Sequence, residues 1–155
     1  MKRQIAKGLA MLMVTLALAA ASAAVANGQG RVLKAQVPFE FVVGEQTLAA
    51  GEYDVRAIDQ SRDAIAITNA GGDAAVRLST PAQRSGMSNA AKLVFHRYRS
   101  TYFLSEIWMA GESTGRELAR SKQERAMQRE LKTLAAHRGD KTPVYDIVEV
   151  IAMAR

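Results

Sequence analysis

Apolar residues recur along this chain mostly at every second position, in short runs parted by turn residues. Val37, Phe39, Phe41 and Val43 alternate with Pro38, Glu40 and Val42, the period-two signature of a half-buried strand. Pro38 lacks the amide hydrogen that a ladder needs, which places this strand at an edge or starts it there. Gly44-Glu45-Gln46 then turns the chain. After Gly51, Tyr53, Val55 and Ala57 alternate with Asp54 and Arg56. Ile65 and Ile67, then Val76 and Leu78, flank Asn69-Ala70-Gly71-Gly72-Asp73, which suits a hairpin connection. Residues 80–91 read as one long loop. Two denser runs, Lys92 to Tyr98 and Thr101 to Met109, are joined through Arg99-Ser100. Leu93-Val94-Phe95 and Tyr102-Phe103-Leu104 are apolar without alternation, as in strands covered on both faces. All the aromatic residues, Tyr145 included, fall in predicted strands and argue for a single apolar interior.

Helical spacing occurs in one place. Ser121-Lys122-Gln123-Glu124 is a capping box, in which the Ser121 hydroxyl accepts from the Glu124 amide and the Glu124 side chain reaches back. Met127, Leu131, Leu134 and Ala135 then share a face, and Gly139 stands where a left-handed cap ends a helix. The pattern predicts a helix over about 122–138. The tail from Val144 to Ala152 also fits helical spacing, but its Val and Ile content favours a strand. The expected fold is mainly β: an antiparallel sandwich or partly open barrel of six to seven strands with one C-terminal α-helix. Strands followed by a helix and a last strand are similar to the lipocalin layout, without the early Gly-x-Trp of that family.

The first residues break this pattern. Met1 to Lys7 holds three cations and no acid, Leu9 to Leu18 is strongly apolar, and no further charge occurs before Arg31. Ala24-Val25-Ala26 offers the small residues that signal peptidase reads, so residues 1–26 are expected to be a cleavable leader and 27–155 a single β-rich domain, exported to the periplasm or beyond. An uncleaved anchor fits less well, because residues after Leu18 are mostly small and contribute little to insertion. Without cysteine there is neither a lipoprotein anchor nor a disulfide, so the fold depends on its core. Lys2, Arg3 and Lys7 leave with the leader, which lowers the net charge from +6 to +3. So small a charge does not by itself imply nucleic acid or membrane as partner.

Three stretches resemble one family together: Val37-Pro38-Phe39-Glu40-Phe41-Val42-Val43-Gly44 with Leu48-Ala49-Ala50-Gly51-Glu52-Tyr53; Leu93-Val94-Phe95-His96-Arg97-Tyr98 with Tyr102-Phe103-Leu104 and Trp108; and Gly111 to Gly115 with Arg116-Glu117-Leu118, Ser121 and Glu124. They are similar to a family of small, signal-bearing, uncharacterised bacterial proteins, over most of residues 36–127. In that family Pro is commoner at the positions of Ala50 and Ala119, and Gly at Arg99. The resemblance implies no activity and carries over no functional residue.

Catalytic and metal patterns are thin. Gly111-Glu112-Ser113-Thr114-Gly115 matches the G-x-S-x-G of a serine hydrolase and His137 follows in the right order. That chemistry needs Ser113 on a sharp strand-to-helix turn, whereas the expected helix starts well downstream. With two histidines, no cysteine and no ligand spacing, neither a zinc site nor any cofactor is expected. His96, Arg97, Tyr98, Tyr102 and Trp108 are the candidate binding residues; cations beside aromatics can stack on bases, but no RNA-binding signature accompanies them, and cross-strand pairing explains the same residues. A helix face carrying Lys122, Arg125, Arg129 and Lys132 would suit anionic lipid, but Glu124 and Glu130 interrupt it and a solvated helix surface explains the run better. The expected function is a non-enzymatic interaction or ligand-binding module whose partner is a protein or a small apolar ligand, with no nucleic acid and no stable membrane anchor after cleavage. The alternatives are a small hydrolase using Ser113 and an envelope-structural protein held by its leader.

Overall fold

The computed structural model describes residues 31–59, 61–138 and 143–155. The leader, its cleavage point and the Gly139 cap lie outside the described residues. Among the described residues, ten strands and one helix form in the order β1 (Leu33–Val37), β2 (Phe41–Val43), β3 (Gln46–Leu48), β4 (Gly51–Ala57), β5 (Ala64–Asn69), β6 (Ala74–Gln83), β7 (Lys92–Tyr98), β8 (Thr101–Trp108), β9 (Thr114–Leu118), α1 (Lys122–Arg138) and β10 (Asp146–Ala154).

Two three-stranded meanders, β4-β5-β6 and β7-β8-β9, make most of the wall. On one side β6 pairs directly with β9; on the other, β10 and β1 bridge β7 to β4. Every one of these pairings is antiparallel, and together they close an eight-stranded barrel. The expectation of a sandwich or partly open barrel with six to seven strands is therefore corrected to a closed barrel with two extra strands. Closing a sheet on itself removes edges that a sandwich leaves exposed.

The extra strands come from a break at Pro38. The period-two run from Val37 to Val43 looked continuous, but Pro38 cannot donate to a ladder, and the chain leaves β1 there. It crosses to β8, where β2 pairs in parallel at Val42 and Phe103, and returns as β3 through Gly44-Glu45. Gly44 has φ +65°, and a Cβ there would meet the Arg77 guanidinium. Two further stretches differ from the expected pattern. Thr80–Gln83 belongs to β6 rather than to a loop, and Thr114–Leu118 forms β9.

The interior is filled by the alternating residues of all the barrel strands, among them Leu33, Tyr53, Ile67, Leu93, Phe95 and Ile107. Phe41 stands edge-on to Tyr53 and Phe95, with centroids 5.0 and 5.4 Å apart. Within the two apolar runs the pleat alternates normally, and their outward residues Val94 and Phe103 are buried as well. Ser105 is an unpaired bulge residue, since Val94 pairs with Glu106 but Phe95 with Leu104. The bulge lets Leu104 and Ile107 both face inward while Phe103 turns outward. There Phe103 joins Val42 and Tyr98 in a second apolar cluster, covered by Met127 and Leu131 of α1 together with Val144 and Tyr145.

Candidate functional site

β7 places His96 and Tyr98 two residues apart, hence on one face, and that face is the outer one beneath α1. Ser121 starts the helix as expected, its Oγ accepting the Glu124 amide at 2.9 Å. A second acceptor comes from the β2–β3 turn, where Glu45 Oε1 takes the Lys122 amide at 3.2 Å. The other half of the capping box is not made. The Glu124 carboxylate turns to the barrel instead, 3.1 Å from His96 Nδ1 and 3.3 Å from the Tyr98 hydroxyl. Glu124 is 3% exposed and His96 5%. An ionised carboxylate can only accept, so Nδ1 carries the hydrogen and Tyr98 donates its own. Arg120 Nε lies 3.7 Å from the same carboxylate, and the Tyr145 ring packs against His96 at 4.2 Å between centroids. Burial, reinforced by the Glu124 charge, holds the Tyr98 phenol well above the usual tyrosine range. Enclosed in this way, the cluster fastens α1 to the barrel.

The remaining candidates fall elsewhere. Arg97 and Tyr102 are cross-strand partners on the other face of the same hairpin. Arg97 reaches Asp146 of β10 at 2.6 Å, and Tyr102 stacks on Phe39 with centroids 3.9 Å apart. Trp108 lies at the far end of β8, donates to Glu106 at 2.7 Å, and is covered by the Arg84 guanidinium 5.1 Å from its ring. At 2% exposure it lines no open surface. The five candidates thus form two pairs and a separate tryptophan rather than one site. Glu124 and Tyr145 complete the His96–Tyr98 pair. Glu124 was legible only as a cap, because its spacing to Ser121 is local while its partners are long-range.

Ser113 precedes β9 in the β8–β9 hairpin, so its G-x-S-x-G stretch leads into a strand rather than a helix. Glu112 beside it pairs with Arg31 at 3.2 Å and Arg62 at 3.1 Å. His137 Nδ1 is 2.8 Å from the Thr133 carbonyl of its own helix. Among the described residues no group of His, Cys, Asp and Glu could hold a metal ion, and no helix is long and apolar enough to cross a membrane.

An unexpected feature is the first half of β6. The Asn69–Asp73 turn is closed by the Asn69 amide on the Asp73 carbonyl at 3.0 Å and the Asp73 amide on Asn69 Oδ1 at 2.8 Å. That turn sets Ala75 opposite Ile67 and Arg77 opposite Ile65. Side chains therefore run opposite to the apolar pattern. Arg77 shares the inner face with Ile65, whereas Val76 and Leu78 are 60% and 73% exposed. The Arg77 Nε–H is buried without a hydrogen-bond partner among the described residues.

Backbone groups follow the same register. The Ser79 amide bonds the Asp63 carbonyl at 2.7 Å, so with Asn69 and Asp73 it marks the pairs that exchange hydrogen bonds. Ala74, Val76 and Leu78 then point their N–H and C=O groups away from β5. On that side β9 pairs only from Ser79 to Gln83. No described strand pairs with Ala74–Leu78 there. This is an open edge five residues long.

The chain matches no family model, no curated protein and no solved structure. Its own geometry carries the functional reading.

Proposed function

We propose that this chain is a non-enzymatic, exported interaction module that takes an extended segment of a partner protein onto the open edge of β6. The observation that carries the reading is the edge itself: Ala74, Val76 and Leu78 direct unpaired donors and acceptors outward, beside exposed Val76 and Leu78 side chains. Natural sheets usually blunt such edges with charge, proline or a covering loop, and an added strand satisfies both the backbone and the apolar side chains. The filled interior supports surface recognition over a small ligand held in the barrel. Export rests on the leader at residues 1–26, and a processed chain starting at Asn27, seen by mass spectrometry, checks that part.

The edge is tested by two substitutions at Val76. Val76→Pro deletes an outward amide without touching the β5 ladder, and Val76→Lys adds a charge on the exposed face. Protein purified from a bacterial envelope should carry a partner by native mass spectrometry. Both variants should lose it while keeping a strand-type circular dichroism spectrum. A partner retained equally by both variants, or a small molecule in its place, would overturn the assignment.

A further inference from the structure

Lys122, Arg125, Arg129 and Lys132 are all exposed on α1. Their spacing of three, four and three residues, at about 100° per residue, keeps them within roughly a quarter of the helix circumference. Met127 and Leu131 on the opposite side seat α1 on the barrel, so the basic stripe faces outward. In sequence, Glu124 interrupts this run. In the fold it does not, because its carboxylate is buried against His96 and Tyr98. Glu130 lies to one flank, 3.7 Å from the Arg99 guanidinium, and Glu45 at the N-terminal end accepts the Lys122 amide. None of the four cations takes part in an ion pair among the described residues.

Residues 27–155 carry +3 in total, so without these four cations the remainder of the domain stands at −1. The stripe thus sets four exposed cations side by side with no acidic side chain among them. No aromatic side chain interleaves with the stripe to stack on bases, which favours a planar array of headgroups over a nucleic acid. Lys and Arg stems let charged heads reach such a surface, and Ala136 among them with Ala126 and Thr133 alongside brings no large apolar group to insert.

We propose that this stripe seats the domain on an anionic phospholipid surface, reversibly and by charge alone. The proposal is independent of the β6 edge, which belongs to a different element. Each cation near an anionic bilayer strengthens attachment about fivefold, and salt weakens it as the Debye length shortens.

The test is cosedimentation of the chain from Asn27 onward, which contains the whole barrel and α1. The vesicles are phosphatidylcholine alone or phosphatidylcholine mixed with an equal part of phosphatidylglycerol. Binding is expected only to the mixed vesicles, falling as salt rises. Arg129→Gln should weaken it about fivefold, and Arg129→Gln with Lys132→Gln about twenty-five-fold. Arg56→Gln, a cation lost from β4, should leave it near the unsubstituted level. Equal binding to both vesicles, no binding at low salt, or a loss with Arg56→Gln matching that of the stripe variants would each overturn the proposal.

Discussion

Arg99 occupies the first position of the two-residue β7–β8 turn with φ +55°, in the left-handed region. A side chain with a Cβ pays about 1–2 kcal/mol there, whereas primed hairpin turns accept glycine readily. Its contact with Glu130, 3.7 Å long and exposed at both ends, offsets little of that. Arg99→Gly should therefore raise stability by roughly 0.5–1 kcal/mol, once the extra freedom of glycine in the unfolded chain is subtracted. A urea midpoint that rises at constant slope is the expected result, and an unchanged or lower midpoint would contradict it. The same scale explains why Val76 and Leu78 were misleading. Their alternation with Arg77 reads as an ordinary inward apolar pair. One turn, held by Asn69 and Asp73, sets the register, and a shift of one residue exchanges the two faces.

At the scale of elements, α1 was legible in its position because its cap and its periodicity are local signals. Its fastening was not. Glu124 sits at the helix start, where a carboxylate favours the dipole, but its hydrogen bonds go to side chains more than twenty residues away. Removing it leaves the His96 Nδ1–H and the Tyr98 hydroxyl buried without an acceptor. Glu124→Ala should cost about 3–5 kcal/mol, and Glu124→Gln, which keeps an acceptor oxygen, clearly less. Chemical denaturation measures both. Hydrogen exchange should show the loss first in α1 and the outer face of β7, and uniform loss across the barrel would count against a local fastening.

The whole molecule responds to pH through its buried phenols. Tyr98 is raised by burial and then by the Glu124 charge, and Tyr53 is raised chiefly by burial. Both stay neutral in the fold at pH values where the unfolded chain has begun to ionise, near about pH 10. The unfolded state then binds fewer protons, so this contribution is complete below about pH 10 and declines above it. The slope is up to about 1.4 kcal/mol per pH unit for each phenol. Urea midpoints taken from about pH 8 to pH 11 should fall at the alkaline end, with a shallower fall for Tyr98→Phe. A Tyr98→Phe profile that runs parallel to the unsubstituted protein would refute this.

By itself the sequence determined the class of structure: period-two apolar runs for a mainly β interior, glycine-bearing turns at Gly44 and Gly72, a helix capped at Ser121, and a tail rich in β-branched residues. Those signals are local, each decided by residues a few positions apart. Only the tertiary structure decided that β10 and β1 would close the barrel, that Pro38 would send β2 across to β8, and that Glu124 would leave its cap for His96. Each depends on which distant strands meet and in what register. Alternation specifies that a residue has an inside and an outside, but the pairing partner and the turn choose between them.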